Sequence, residues 1–219
     1  MAGRRFSGGS RRPKGAETTN VRTSAFRKLT KLDLAFLLIL LGVGGRLVLL
    51  RAANVETVLA ASMLAGAFLG WRYSLLVTLA VMGVSDAVIY ALGYGGELGL
   101  PAILGITAFT WSGMIFAGLI GSATGRRRVL FTTRSMALLA TVSIPATLLF
   151  DVWTAFGDWM FIAGPRGLSL ATVYYMQIPF TLIHLASSIV FVPLFGSIFS
   201  YVSPAPSVLP MPEPTEGED

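Results

Sequence analysis

The sequence predicts an all-α, polytopic membrane protein, a bundle of about six transmembrane helices with both termini in the cytoplasm. Three observations carry that expectation. Hydrophobic residues make up 54% of the chain and charged residues only 13%, where a soluble domain is typically about 25% charged. Such a chain cannot cover a water-facing surface. Gly-, Ala- and Leu-rich apolar stretches recur between Leu34 and Tyr201. The basic residues fall in alternate connections between those stretches, as they do in proteins oriented by the positive-inside rule.

The elements follow in order. Residues 1–32 carry Arg4, Arg5, Arg11, Arg12, Lys14, Arg22, Arg27, Lys28 and Lys31 among Ser, Gly and Thr, a composition that cannot bury a core. This basic tail abuts a membrane segment, so anionic lipid is its expected partner and nucleic acid is not. The bundle is assigned to 33–202, with helices near 33–51, 55–70, 72–92, 101–123, 135–154 and 170–201, because a bilayer core about 30 Å thick requires roughly 20 apolar residues in a helix. The first run contains Arg46 and lacks a small-x-small cleavage site, which favours a span over a cleaved signal peptide. Gly70-Trp71-Arg72 predicts a tight turn between the second and third helices, and Gly93-Tyr94-Gly95-Gly96 with Pro101 marks the next loop. Pro145, Pro179 and Pro193 are expected to kink the fifth and sixth helices. Residues 203–219, Pro-rich and ending in an acidic cluster, form a second unstructured tail.

Counting Lys and Arg by connection sets the orientation. The nine tail residues, Arg72, Arg126, Arg127, Arg128 and Arg134 stand on one side, fourteen against the three of Arg46, Arg51 and Arg166 on the other. The richer side is expected to be cytoplasmic, in the plasma membrane. Zero cysteines and one histidine remove disulfides, thiol nucleophiles and the usual zinc or haem ligand sets. No cofactor and no metal are expected.

With that orientation, a rise of about 1.5 Å per residue gives each side chain a depth. Arg46, Asn54, Glu56, Asp86, Asp151, Trp153, Tyr174 and Gln177 fall in the outer halves of their helices, and His184 near the midplane. Ionisable groups inside a bilayer usually face a bundle interior or a water-filled cavity. These nine residues are therefore the candidate substrate-binding set, around a cavity opening to the outside. Each has a structural alternative. Arg46 and Asp86 can neutralise each other as a pair; Asn54 and Glu56 can cap the second helix. Trp153 and Tyr174 can belong to an aromatic belt and Asp151 to a solvated helix end. Gln177 can bond a neighbouring helix, and His184 can be a packing histidine.

Ala61-x-x-x-Ala65 and Gly66-x-x-x-Gly70 give the second helix narrow faces. These fit close packing inside the bundle or a docking face for another membrane protein.

The stretch Arg46-Leu47 with Asn54-Val55-Glu56 and Leu64-Ala65-Gly66-Ala67-Phe68-Leu69-Gly70 resembles the substrate-binding S components of energy-coupling-factor vitamin transporters. Ser85-Asp86, Ile178-Pro179-Phe180 and His184 are similar to that family too. The resemblance spans roughly 35–200. It implies a six-helix bundle with a vitamin-sized pocket near the outer face, working with a transmembrane coupling subunit and two ATPases. One departure stands out: the family's small-x-x-x-small alanine pair lies in helix one, whereas here Ala61 and Ala65 lie in helix two.

The expected function is capture of a small micronutrient for uptake, without catalysis; with no GxxxxGK[ST] sequence in the chain, ATP hydrolysis would fall to partners. The alternatives are a structural or assembly membrane protein, and an intramembrane enzyme built on Asp86, Asp151 and His184. On the outer side three basic residues, Arg46, Arg51 and Arg166, face five acidic ones, Glu56, Asp86, Glu97, Asp151 and Asp158. That balance leans away from a strongly anionic substrate.

Overall fold

The structure, a computed structural model, describes residues 29–52, 55–125 and 133–202. The two tail assignments, apart from Leu29–Leu32 of the first and Val202 next to the second, lie outside the described residues, as do Asn54 and the Arg126–Arg128 cluster. Every described regular element is helical: α1 Lys31–Val48, α2 Val58–Leu64, α3 Trp71–Ala91, α4 Leu100–Gly125, α5 Thr133–Asp158 and α6 Leu170–Val202. Single π-helical turns extend α2 over Ala65–Leu69 and α5 over Trp159–Ala163. Six helices stand where six are expected. The fifth runs further: the α-helix itself continues past residue 154 to Asp158, and the π turn carries it on to Ala163.

Local chemistry sets the ends. At the start of α1 the Thr30 N–H donates to Asp33 Oδ2 at 2.7 Å and the Asp33 N–H donates to Thr30 Oγ1 at 3.2 Å, a reciprocal capping box. Between α2 and α3 the chain turns at one residue, Gly70, whose φ of +97° suits glycine. Both α5 and α6 continue through their prolines.

Four helices, Trp71–Ala91, Leu100–Gly125, Arg134–Ala163 and Leu170–Phe199, are long and apolar enough to cross a membrane. The helix α1 has 18 residues but carries Lys31, Asp33 and Arg46. The apolar segment Val58–Leu69 is shorter, reaching only about 18 Å at 1.5 Å per residue. It is nevertheless the centre of the bundle. All seven residues of α2 are buried, and α2 packs against α1, α3, α4, α5 and α6. The chain of neighbours α1, α3, α4, α5, α6 curves round it, and α2 lies between the two ends of that chain, touching both.

The bundle is apolar outside as well as in. Leu76, Leu104, Leu119, Leu148, Val152, Leu182 and Val190 are exposed, while Ser62, Thr78, Ser85, Asp86, Ser143, Thr147, Asp151, His184 and Ser188 are buried. Polar groups turned inward beneath an apolar coat are the arrangement of a membrane-embedded bundle, in which lipid replaces water as the outer solvent.

The small residues on α2 serve this packing. Ala61 and Ala65 are fully buried. A Cβ at Gly66 would run into the Gly118 carbonyl of α4, one at Gly121 into the Met63 carbonyl, and one at Gly125 into the Ala67 carbonyl. Glycines on both helices thus bring two backbones together. Gly70, at the end of this row, forms the turn. Ala61, Ala65 and Gly66 are therefore taken up by packing within the bundle, against α4 above all, whereas Gly70 is half-buried with open space where a Cβ would stand.

Candidate functional site

The polar residues form two clusters, where the depth reading placed them round one cavity. The first joins α1, α3 and α4. Arg46 Nη1 donates to Asp86 Oδ1 at 2.7 Å and to Ser85 Oγ at 2.6 Å. The other carboxylate oxygen, Oδ2, accepts from the Trp111 indole Nε1 at 2.6 Å. Ser85 Oγ in turn donates to the Val81 carbonyl. Both oxygens of Asp86 are therefore engaged by charged or N–H donors, which is the state in which a buried carboxylate is tolerated. Trp111 escaped the sequence reading because it sits in an otherwise apolar helix. Its signal was the indole N–H, which needs a partner when buried.

The second cluster lies along the seam of α5 and α6, under the N-terminal end of α2. The two helices are antiparallel, joined by residues 164–169, and polar residues four apart on each come face to face. Thr147 Oγ1 donates to Ser188 Oγ at 3.1 Å, and one turn along His184 Nδ1 lies 2.8 Å from Asp151 Oδ1. The i, i+4 spacing on both helices stacks these rungs. His184 is 1% exposed and Asp151 3%. The Phe150 ring meets the imidazole edge-on at 5.3 Å. Glu56, just before α2, is held by its backbone: its N–H donates to Ser187 Oγ at 3.4 Å. Its carboxylate does not cap α2, which has no side-chain cap.

Glu56, Asp151, His184 and Gln177 line a cavity of about 290 Å³ with Thr110, Thr154, Asp158 and apolar neighbours. Among the described residues, Glu56 Oε2, Asp151 Oδ2 and His184 Nε2 are buried atoms with no hydrogen-bond partner. All three belong to residues of this one cavity. A second recess of about 280 Å³, on the α5–α6 surface, shares Asp151 and Gln177 and is otherwise walled by Tyr174, Thr181 and aliphatic side chains.

The remaining candidates go elsewhere. Trp153 Nε1 donates to Ser112 Oγ at 2.9 Å and its ring packs, tilted by 33°, against that of Phe109 at 4.6 Å, which ties α5 to α4. The Tyr174 hydroxyl donates to the Val152 carbonyl at 3.3 Å and borders the second recess only. Arg46 and Asp86 do not line the Glu56 cavity. Thr110 and Thr154 line it without having been singled out, because their hydroxyls are ordinary in a helix, and Asp158, counted among the outer acidic residues but not among the nine candidates, lines it too. Among the described residues no group of three His, Cys, Asp or Glu side chains is arranged to hold a metal ion.

The model of a family of unknown function, DUF6580, matches residues 26–209, and the chain belongs to that family. No curated protein and no solved structure matches it.

Proposed function

We propose that this member of the family is a substrate-capture subunit of the plasma membrane, binding a vitamin-sized micronutrient without catalysis and passing it to a transmembrane coupling subunit driven by two ATPases. One observation carries the reading: Glu56, Asp151 and His184, which line one cavity of an apolar bundle, each hold a buried polar atom with no partner among the described residues. An unpartnered buried polar group is destabilising, more so when charged. A scaffold gains nothing from three of them in one place, whereas a binding site needs free valences to offer a ligand. The resemblance to energy-coupling-factor S components, carried by Asn54-Val55-Glu56 and His184 among others, points the same way.

The cytoplasmic placement of both termini rests on the basic-residue count. It puts Gly95 outside and Gly125 inside, so in intact cells an introduced Gly95→Cys is expected to react with an impermeant thiol reagent and Gly125→Cys is not. Labelling of the second would reverse the orientation.

The function is tested by native mass spectrometry of the detergent-purified protein. A small molecule retained at one per chain, and lost in the Asp151→Asn variant, is the expected result. A chain that carries no such mass, and whose deletion leaves micronutrient uptake unchanged, would favour the structural or assembly role instead.

A further inference from the structure

The geometry points to a small organic cation bearing several N–H donors, a protonated amine or amidinium, as the ligand class of the Glu56–Asp151–His184 cavity. The inference rests on the binding reading above and goes beyond it to the charge of the ligand.

The argument is one of donors and acceptors. Asp151 Oδ1 faces His184 Nδ1 at 2.8 Å. Where Nδ1 carries the ring's one proton toward that carboxylate, Nε2 is a lone-pair acceptor; in the imidazolium Nε2 is a donor instead. Glu56 Oε2 and Asp151 Oδ2 are acceptors as well. Two of the three unpartnered atoms, both carboxylate oxygens, thus seek donors whatever the form of the ring. The threonines do not supply them: Thr110 Oγ1 donates to the Ile106 carbonyl at 2.9 Å and Thr154 Oγ1 to the Phe150 carbonyl at 3.0 Å, so each turns lone pairs to its surroundings. Gln177 is the one lining side chain with amide N–H groups to offer.

The charge agrees. Glu56, Asp151 and Asp158 line the cavity and no Lys or Arg does. A carboxylate or phosphate ligand would add acceptors and negative charge to a site already rich in both. A cation with a fork of N–H donors pairs with both free carboxylate oxygens and offsets the desolvation of the carboxylates. The volume, about 290 Å³, falls at the small end of ligand pockets and fits a compact head group.

The test uses three flat probes of one shape on the purified full-length chain: benzamidine (cationic), benzamide (neutral) and benzoate (anionic), each titrated against thermal unfolding. Benzamidine is expected to raise the Tm in a saturable manner, with benzamide and benzoate without effect. In Glu56→Gln, which keeps the shape and the backbone bond to Ser187, the apparent affinity for benzamidine should fall roughly tenfold or more, the worth of one charge-assisted hydrogen bond. Equal effects of benzamidine and benzamide, or a larger effect of benzoate, would overturn the cation assignment. So would stabilisation by manganese chloride alone with none by benzamidine. The two readings fail separately: a native ligand that proves anionic sinks the cation and leaves capture standing, whereas benzamidine binding in a protein with no role in uptake keeps the site and removes the transport.

Discussion

Around Asp86 both carboxylate oxygens are taken, one by Arg46 and one by Trp111; around Asp151 one oxygen faces His184 and the other has no partner among the described residues. The two aspartates are alike in burial, 8% and 3% exposed, and both stand in long apolar helices. They differ in whether the protein finishes the hydrogen bonding itself. A completed cluster fixes α1, α3 and α4 relative to one another and has nothing left to offer. An incomplete one carries a standing penalty that a ligand can remove. Completeness of hydrogen bonding, more than charge or depth, separates the structural pair from the candidate site.

The sharpest way to break this contrast is to damage the completed cluster. Arg46→Ala leaves Asp86 buried with its cation gone, and removal of one partner of a buried pair typically destabilises by about 3–5 kcal/mol. Arg46→Met combined with Asp86→Leu removes both charges and should recover most of that loss. The remaining deficit is the Trp111 indole N–H, left without an acceptor, at about 1–3 kcal/mol. Thermal unfolding measures the three variants, and native mass spectrometry follows the bound molecule. The double variant should retain it as the unmodified chain does. A folded double variant that has lost it would place Arg46 and Asp86 in the binding site and erase the distinction drawn between the clusters.

Much of this architecture is legible in the sequence, for reasons that particular residues make plain. The helices could be placed because apolar runs and Gly70, Gly93 and Pro101 punctuate the chain, and hydropathy is a local property. Arg46 opposite Asp86 could be read as a pair because both depths follow from residue counts along single helices. What was not legible depends on which helix faces which. Asp151 and His184 are 33 positions apart, and their contact follows from the register of α5 on α6, which no local pattern encodes. The same register brings Glu56 to Ser187. The small residues of α2 showed that something packs closely there, and could not say that the something is Gly118 and Gly121 of this same chain. Neither the four further α-helical residues to Asp158 nor the π turn at Trp159–Ala163 has a sequence signature of its own, so α5 was expected to stop at 154.

The smallest expected effect on stability comes from the incomplete cluster, and the contrast rests on its being small. Replacing Asp151 and His184 together by leucine removes a buried carboxylate, its imidazole partner and two of the three unpartnered atoms at once. Apolar replacement of a buried ionic group is often neutral or stabilising, by about 1–4 kcal/mol. The ligand-free double variant should therefore unfold at the same temperature as the unmodified chain or somewhat higher, while native mass spectrometry finds no bound molecule. The opposite pairing is equally readable. If the double leucine variant falls by as much as Arg46→Ala does, the Asp151–His184 contact holds α5 to α6 in its own right, and its free oxygen and nitrogen are tolerated for packing. Stability kept while binding is lost is the combination that a site held open for a ligand requires, because the groups that bind are then the groups the fold can do without.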